Sequence, residues 1–173
     1  FDICTGNEVD LFGLAKAVVP HSLGLSLLLR PSDPRQVGQI NCATVAQSLK
    51  TYRALYDYVL ADTGPTLDEI NIEVLKAADQ IVLVTTPELP SIHNCARFLE
   101  LAKTLGYFDK VRLVVNRANS GVDVAALQQT LRLPMFGRIV SSGKLVVEAA
   151  NRGTAVFALD PTEQDQFTKD VVA

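Results

Sequence analysis

Between Leu25 and Val140 the sequence alternates two periods, short apolar β-rich runs and longer segments with apolar residues at helical spacing. That alternation is what strands joined by crossover helices require, and it restricts the chain to an α/β architecture. The strand candidates are LSLLLR (25–30), YDYVLAD (56–62), QIVLVTT (80–86), VRLVVN (111–116) and MFGRIV (135–140). Runs as continuously apolar as IVLV and LVV predict a mostly parallel sheet covered on both faces. Between them, Ile92, Cys95, Leu99, Ala102 and Leu105 recur at helical spacing, with Pro90 near the start and Gly106 just past the end. Val37, Ile40, Val45, Leu49, Tyr52 and Leu55 predict another helix, and Ile70–Ala78, Val124–Leu131 and Lys144–Asn151 shorter ones. The tail restarts a helix after the Asp160-Pro161 turn. No internal repeat, low-complexity tract or long linker interrupts this, so the reading is a single domain over 1–173.

Bulk properties narrow the partners. With 173 residues, 48% of them hydrophobic, the chain can bury a sizeable core, and a net charge of −3 gives no general pull toward nucleic acid or anionic lipid. Cys4, Cys42 and Cys95 lack metal-site or redox-motif spacing and read as reduced thiols of a cytosolic protein. No apolar run approaches the roughly 20 residues of a membrane span. Starting at Phe1 and ending within a helical pattern at Val171-Val172-Ala173, the chain is expected to be a fragment.

In an open parallel sheet, ligands bind beyond the carboxyl ends of the strands. Three such ends carry polar chemistry: Asp62-Thr63-Gly64-Pro65, Thr85-Thr86-Pro87 and Asn116-Arg117. A carboxylate after a run of apolar residues can hold the hydration shell of a magnesium ion on a nucleoside triphosphate, and Gly64 lets backbone approach a phosphate. The alternative for Asp62 is a helix cap or a turn with Gly64. Asn116 presents the acceptor and donors that complement adenine's edge, and Arg117 can stack on a base; a turn role is the alternative for Asn116. There is no GxGxxG after a strand, no HExxH and no GxSxG, and His21 and His93 lie far apart, with His93 on the polar side of its helix.

Taken together, YDYVLADTGP, ADQIVLVTTPELPSI, KVRLVVNRANSG and LPMFGRIVSSGKLVVEAANRGTAV resemble the later two-thirds of the MinD/ParA family of deviant P-loop ATPases. GLSLLLRPSDPRQV followed by a helix and YDYVLAD looks closest to the CpaE/TadZ branch, associated with polar placement of Flp (tight-adherence) pilus machinery. The resemblance covers about residues 20–157. It implies a three-layer, doubly wound, P-loop NTPase-like sheet, here without its N-terminal strand and phosphate loop. It also implies that Asp62 is the Walker B aspartate that holds Mg2+ through water, that Thr63 and Gly64 begin switch II, and that Asn116 and Arg117 read the adenine of ATP. The stretch Asn151–Val156 matches a turn read as packing.

Two departures stand out. The family's KGGxGKT loop is absent from these residues, so ATP hydrolysis is an expectation for the parent protein. Where the family has Ile-Pro and an acidic residue two positions later, in a loop against the adenine, this chain has Ile139-Val140-Ser141-Ser142.

The resemblance thus implies an ATP-dependent homodimer that places pilus or secretion assembly proteins, cytoplasmic and polar or peripheral at the inner membrane. The alternatives are a nucleotide-independent scaffold with a degenerate ATPase fold and a partition or division-site ATPase. Nothing basic and amphipathic follows Phe167, and the dispersed Lys and Arg carry no strong nucleic-acid signal.

Overall fold

The computed structural model describes residues 17–29 and 40–172, together with Gly13 and Arg35. The described chain divides into two compact units, with the boundary between Ala78 and Asp79. Cys4, Arg30 and the Val37 end of the first predicted helix lie outside the described residues.

The first unit contains an antiparallel ribbon of β1 (Val18–Pro20) and β2 (Ser26–Leu28), paired Val18 to Leu28 and Pro20 to Ser26. Its turn closes through His21 N–H to the Leu25 carbonyl (2.8 Å) and needs the left-handed Gly24, φ +79°. Helices α1 (Cys42–Leu55) and α2 (Glu69–Ala77) pack on each other. Each starts on a side-chain cap: Asn41 accepts the Ala43 N–H and Asp68 the Asn71 N–H, both at 2.8 Å. Arg53 donates to the Ala77 carbonyl at the end of α2 (2.9 Å), where a cation also suits the helix dipole.

Two expectations fail in this unit. The run 25–30 forms a strand of only three residues, and it pairs antiparallel with β1 rather than joining a parallel sheet. The run 56–62 forms no strand at all. Its apolar, β-rich composition is strand-like, but a strand exists only where a neighbour takes its backbone hydrogen bonds. None of the described residues does so, and Tyr58 and Leu60 stand 88% and 92% exposed.

The second unit is a parallel sheet in the order β3 (Ile81–Thr85), β4 (Val111–Asn116), β5 (Met135–Ile139). Helix α3 (Leu89–Thr104) crosses from β3 to β4, and α4 (Val124–Leu131) from β4 to β5. Register runs from Ile81 opposite Val111 to Thr85 opposite Val115, and a bulge between Leu113 and Val114 resets β5 so that Asn116 faces Ile139. Helix α3 begins with Pro90 in its first turn and buries Ile92, Cys95, Leu99 and Ala102, the predicted stripe. It ends where Gly106, φ +75°, lets Tyr107 N–H reach back to the Ala102 carbonyl (2.7 Å).

Leu113, Val115 and Leu127 are wholly buried at the centre of this core, each contributing about 1.5–3 kcal/mol by burial. Val82 and Val84, which alternate with the buried β3 residues, are 57% and 55% exposed, so double-sided cover does not extend to them among the described residues. Helices α5 (Gly143–Arg152), α6 (Val156–Leu159) and α7 (Gln166–Val172) complete the unit, with α7 against β5. The architecture is α/β with a parallel three-stranded sheet.

Candidate functional site

Because β3, β4 and β5 run parallel, Thr85, Asn116 and Ile139 finish at one edge, and the loops that follow them meet there. The loop after β3 is shaped by hydroxyls. Ser91 Oγ accepts the Thr86 N–H (3.1 Å) and lies 3.0 Å from Thr85 Oγ1, while Thr86 Oγ1 donates to Glu88 (2.7 Å). Cys95 beneath it is 5% exposed; burial pushes its thiol pKa up, opposed in part by a hydrogen bond with Thr85.

The loop after β4 locks onto the first. Val122 donates to the Pro87 carbonyl at 2.7 Å, a contact possible because Gly121 carries no side chain. A Cβ on Gly121, φ +79°, would stand 2.1 Å from that same carbonyl oxygen. Arg117 occupies the left-handed region, φ +55°, which turns the chain sharply just after Asn116. Its guanidinium lies 3.9 Å from Glu88 with both side chains more than half exposed, worth about 0–1 kcal/mol. Asn116 Oδ1 accepts the Arg117 N–H (2.8 Å). That leaves one carbonyl lone pair and both amide protons of a half-buried side chain for another partner. This donor set fits the edge of a purine.

The third loop, Val140–Ser142, lies beside the second. Ala118 donates to the Ile139 carbonyl (3.0 Å) and Ser141 N–H to Asn119 Oδ1 (2.8 Å). From the C-terminal segment, Asp170 accepts the Val140 N–H and Asp165 the Ser142 hydroxyl, both at 2.9 Å. Asp165 is itself oriented by its N–H on Asp160 (2.9 Å) and by the Phe167 N–H on its own carboxylate (2.8 Å). Hydrogen bonds hold two of these carboxyls below their usual range. The donors are the Gln166 side chain and then the Val140 amide for Asp170, and the amides of Asp165 and then Gln164 for Asp160.

Asn116 and Arg117 are thus adjacent at the strand end where the sequence puts them. Asp62, Thr63 and Gly64 lie in the first unit, exposed and outside any helix or strand. Asp62 does not cap α2; Asp68 does. Asn119, Gly121, Asp165 and Asp170 do not stand out in the sequence, and of these only Gly121, a glycine five residues beyond a strand end, carries a local signal. His93 is exposed, as its helical position predicts. Open depressions of about 390 and 350 Å3 lie elsewhere, around α4 and at the amino ends of β4 and β5, lined by Leu133 and Pro134 in both cases. No group of three metal-ligating side chains, and no helix long and apolar enough to cross a membrane, occurs among the described residues.

Known proteins resemble this chain in sequence and in fold. A family model described as an AAA domain matches residues 32–113. The septum site-determining protein MinD of Bacillus subtilis is 28% identical over 137 residues, which is 75% of this chain and 49% of that protein. The chain spans about half the length, or less, of the curated relatives it matches first. Among solved structures, a ParA family ATPase from Chlorobium tepidum superposes with a TM-score of 0.88 at 24% identity, over 96% of this chain and 70% of that one. MinD from Pyrococcus horikoshii, solved with Mg-ADP, superposes at 0.81 and 17% identity, over 99% and 69%. The fold is that of these P-loop NTPases, and the sequence matches support kinship with the MinD/ParA-type P-loop ATPase superfamily.

Proposed function

We propose that this chain is the base-reading portion of a MinD/ParA-like ATPase that positions a cellular machine, within a single P-loop ATPase-like domain of the full-length protein. The observation that carries the reading is Asn116, its amide left with free donors at the carboxyl end of β4 in a loop pinned on both sides. ATP with Mg2+ is the ligand this reading requires, and the Mg-ADP bound by the P. horikoshii MinD supports it. Asn116 and Arg117 would hold the base, Asp62 the metal through water, and Thr63 and Gly64 the phosphate side; the metal supplies charge neutralisation on the phosphates when bound.

The finer assignment follows the CpaE/TadZ resemblance: an ATP-driven homodimer that places Flp/tad pilus or secretion assembly proteins at a cell pole, cytoplasmic or peripheral at the inner membrane. Asp62→Ala in the full-length protein should abolish ATP turnover, read as phosphate release; unchanged hydrolysis would remove Asp62 from the site. A second reading, a scaffold that uses no nucleotide, is favoured by one observation. The Val140 and Ser141 amides are already taken by Asp170 and Asn119. Titration calorimetry of the full-length protein with ATP and magnesium separates the two, since a scaffold gives no heat of binding. A partition or division-site ATPase is the remaining alternative.

A further inference from the structure

The loop after β5 is placed almost wholly by acceptors from outside itself. Val140 N–H goes to Asp170 Oδ2, thirty residues on; Ser141 N–H goes to Asn119 Oδ1, twenty-two residues back; Ser142 Oγ goes to Asp165 Oδ2. Among these, the Asp170 carboxylate is held at both oxygens, because Gln166 Nε2, four residues back on the same helix, donates to Oδ1 at 2.7 Å. Arg138, on the strand that leads into the loop, adds an attractive charge. The same loop borders the Asn116-Arg117 turn through the Ala118 to Ile139 hydrogen bond. Its position therefore sets how far the Ser141 and Ser142 side of the edge stands from Asn116.

We propose that Asp170 is a positioning residue for base selection: by holding the Val140 amide it sets the second wall of the purine site that Asn116 opens. The inference rests on the nucleotide reading above and assigns the C-terminal segment a part in it. Asp170 touches no ligand; it acts through the backbone of Val140. A positioning role of this kind changes which base is preferred, whereas a purely structural role lowers stability and leaves the preference alone.

The test compares ATP and GTP, each with magnesium, by titration calorimetry on the full-length protein and its variants. Asp170→Ala should cut the ATP-over-GTP affinity ratio about threefold to tenfold, less than the full worth of a hydrogen bond to a charged group because Asp170 acts on the base only through the Val140 backbone. Amide exchange at Val140 should quicken. Asp170→Asn keeps an acceptor for Val140, and the Gln166 amide can flip to meet it, so the ratio should return toward wild type. If Asp170→Ala fails to fold, Gln166→Ala, which frees the carboxylate to rotate, should move the ratio in the same direction. An unchanged ratio in a folded variant overturns the inference and leaves the site intact. Failure of the wild-type protein to bind either nucleotide overturns the site reading, and the inference with it.

Discussion

Replacing Gly121 with alanine should be among the most damaging single-methyl changes in the second unit, and the cause can be separated into two parts. The backbone at this position has φ +79°, where an L-residue pays about 1–2 kcal/mol. The added methyl would also stand 2.1 Å from the Pro87 carbonyl oxygen and 2.9 Å from its carbon. Those are main-chain atoms fixed by the Val122 hydrogen bond, so relief requires the two loops to part, at a further cost of roughly 1–3 kcal/mol. Alanine restricts the unfolded chain and returns about 0.4–1 kcal/mol, for a net loss of about 1–4.5 kcal/mol. Gly106 is the internal control. It has nearly the same φ, +75°, with nothing within 4 Å of where an added methyl would stand, so Gly106→Ala should lose only the conformational part. For a chain of this length, roughly 2–4 °C of Tm per kcal/mol should put the Gly121 variant about 2–12 °C below the Gly106 variant in thermal scans followed by circular dichroism. Equal Tm values for the two variants would refute the reasoning, because the close approach of the two loops would then carry no energy.

Asp123→Ala should cost about 1 kcal/mol in urea unfolding, since Asp123 Oδ2 caps α4 by accepting both the Ala125 and Ala126 amides; a change below a few tenths would show the cap to be idle. The acid limb of stability should carry the signature of Asp160 and Asp170. Both have folded pKa values below the usual carboxylate value of about 3.9, so the folded state favours their ionised forms. Their contribution is therefore present above about pH 4 and is lost as pH falls through the lowered folded values. The double variant Asp160→Asn, Asp170→Asn should be less stable near neutrality and should show a flatter loss of Tm below pH 4. An acid limb identical to wild type would contradict the hydrogen-bond geometry assigned to both carboxyls.

What the sequence disclosed depended on the range of the interaction involved. The β4 run VRLVVN and the α4 run Val124–Leu131 are bounded correctly because their limits are local: alternation with buried Val111, Leu113 and Val115 in one, a capping Asp123 in the other. The end of α3 is legible for the same reason, through Gly106. The run 56–62 is as apolar and β-rich and yet forms no strand, because pairing is a property of a neighbour that the pattern does not encode. The direction of β2 is likewise hidden, since its partner Val18–Pro20 carries too short a run to announce itself. At the candidate site, Asn116 and Arg117 can be found as the end of a strand. Asn119, Asp165 and Asp170 cannot, because their importance lies in hydrogen bonds to residues 22 to 30 positions away.

The ties that close this edge differ in kind from the groups that would meet a ligand. The three loops are joined by Val122 on Pro87, Ala118 on Ile139 and Ser141 on Asn119, and Val140 ties the third loop to Asp170 of α7, every one of these bonds donated by a main-chain amide. The ion pair across the edge, Arg117 with Glu88, is long and exposed and adds little. Amide donors are present at these positions whatever the side chain, proline excepted. The scaffold therefore places few demands on the side chains of Val140 and Ser141, whose chemistry can change while the loops stay where they are; Ser142 differs, because its hydroxyl donates to Asp165. That is why a loop reading Val-Ser-Ser, where the resembled family has a proline and an acidic residue, can still stand beside Asn116. A proline at position 140 would remove the N–H that Asp170 accepts, so the tie from the C-terminal segment and the residue that departs from the family pattern are two aspects of one arrangement.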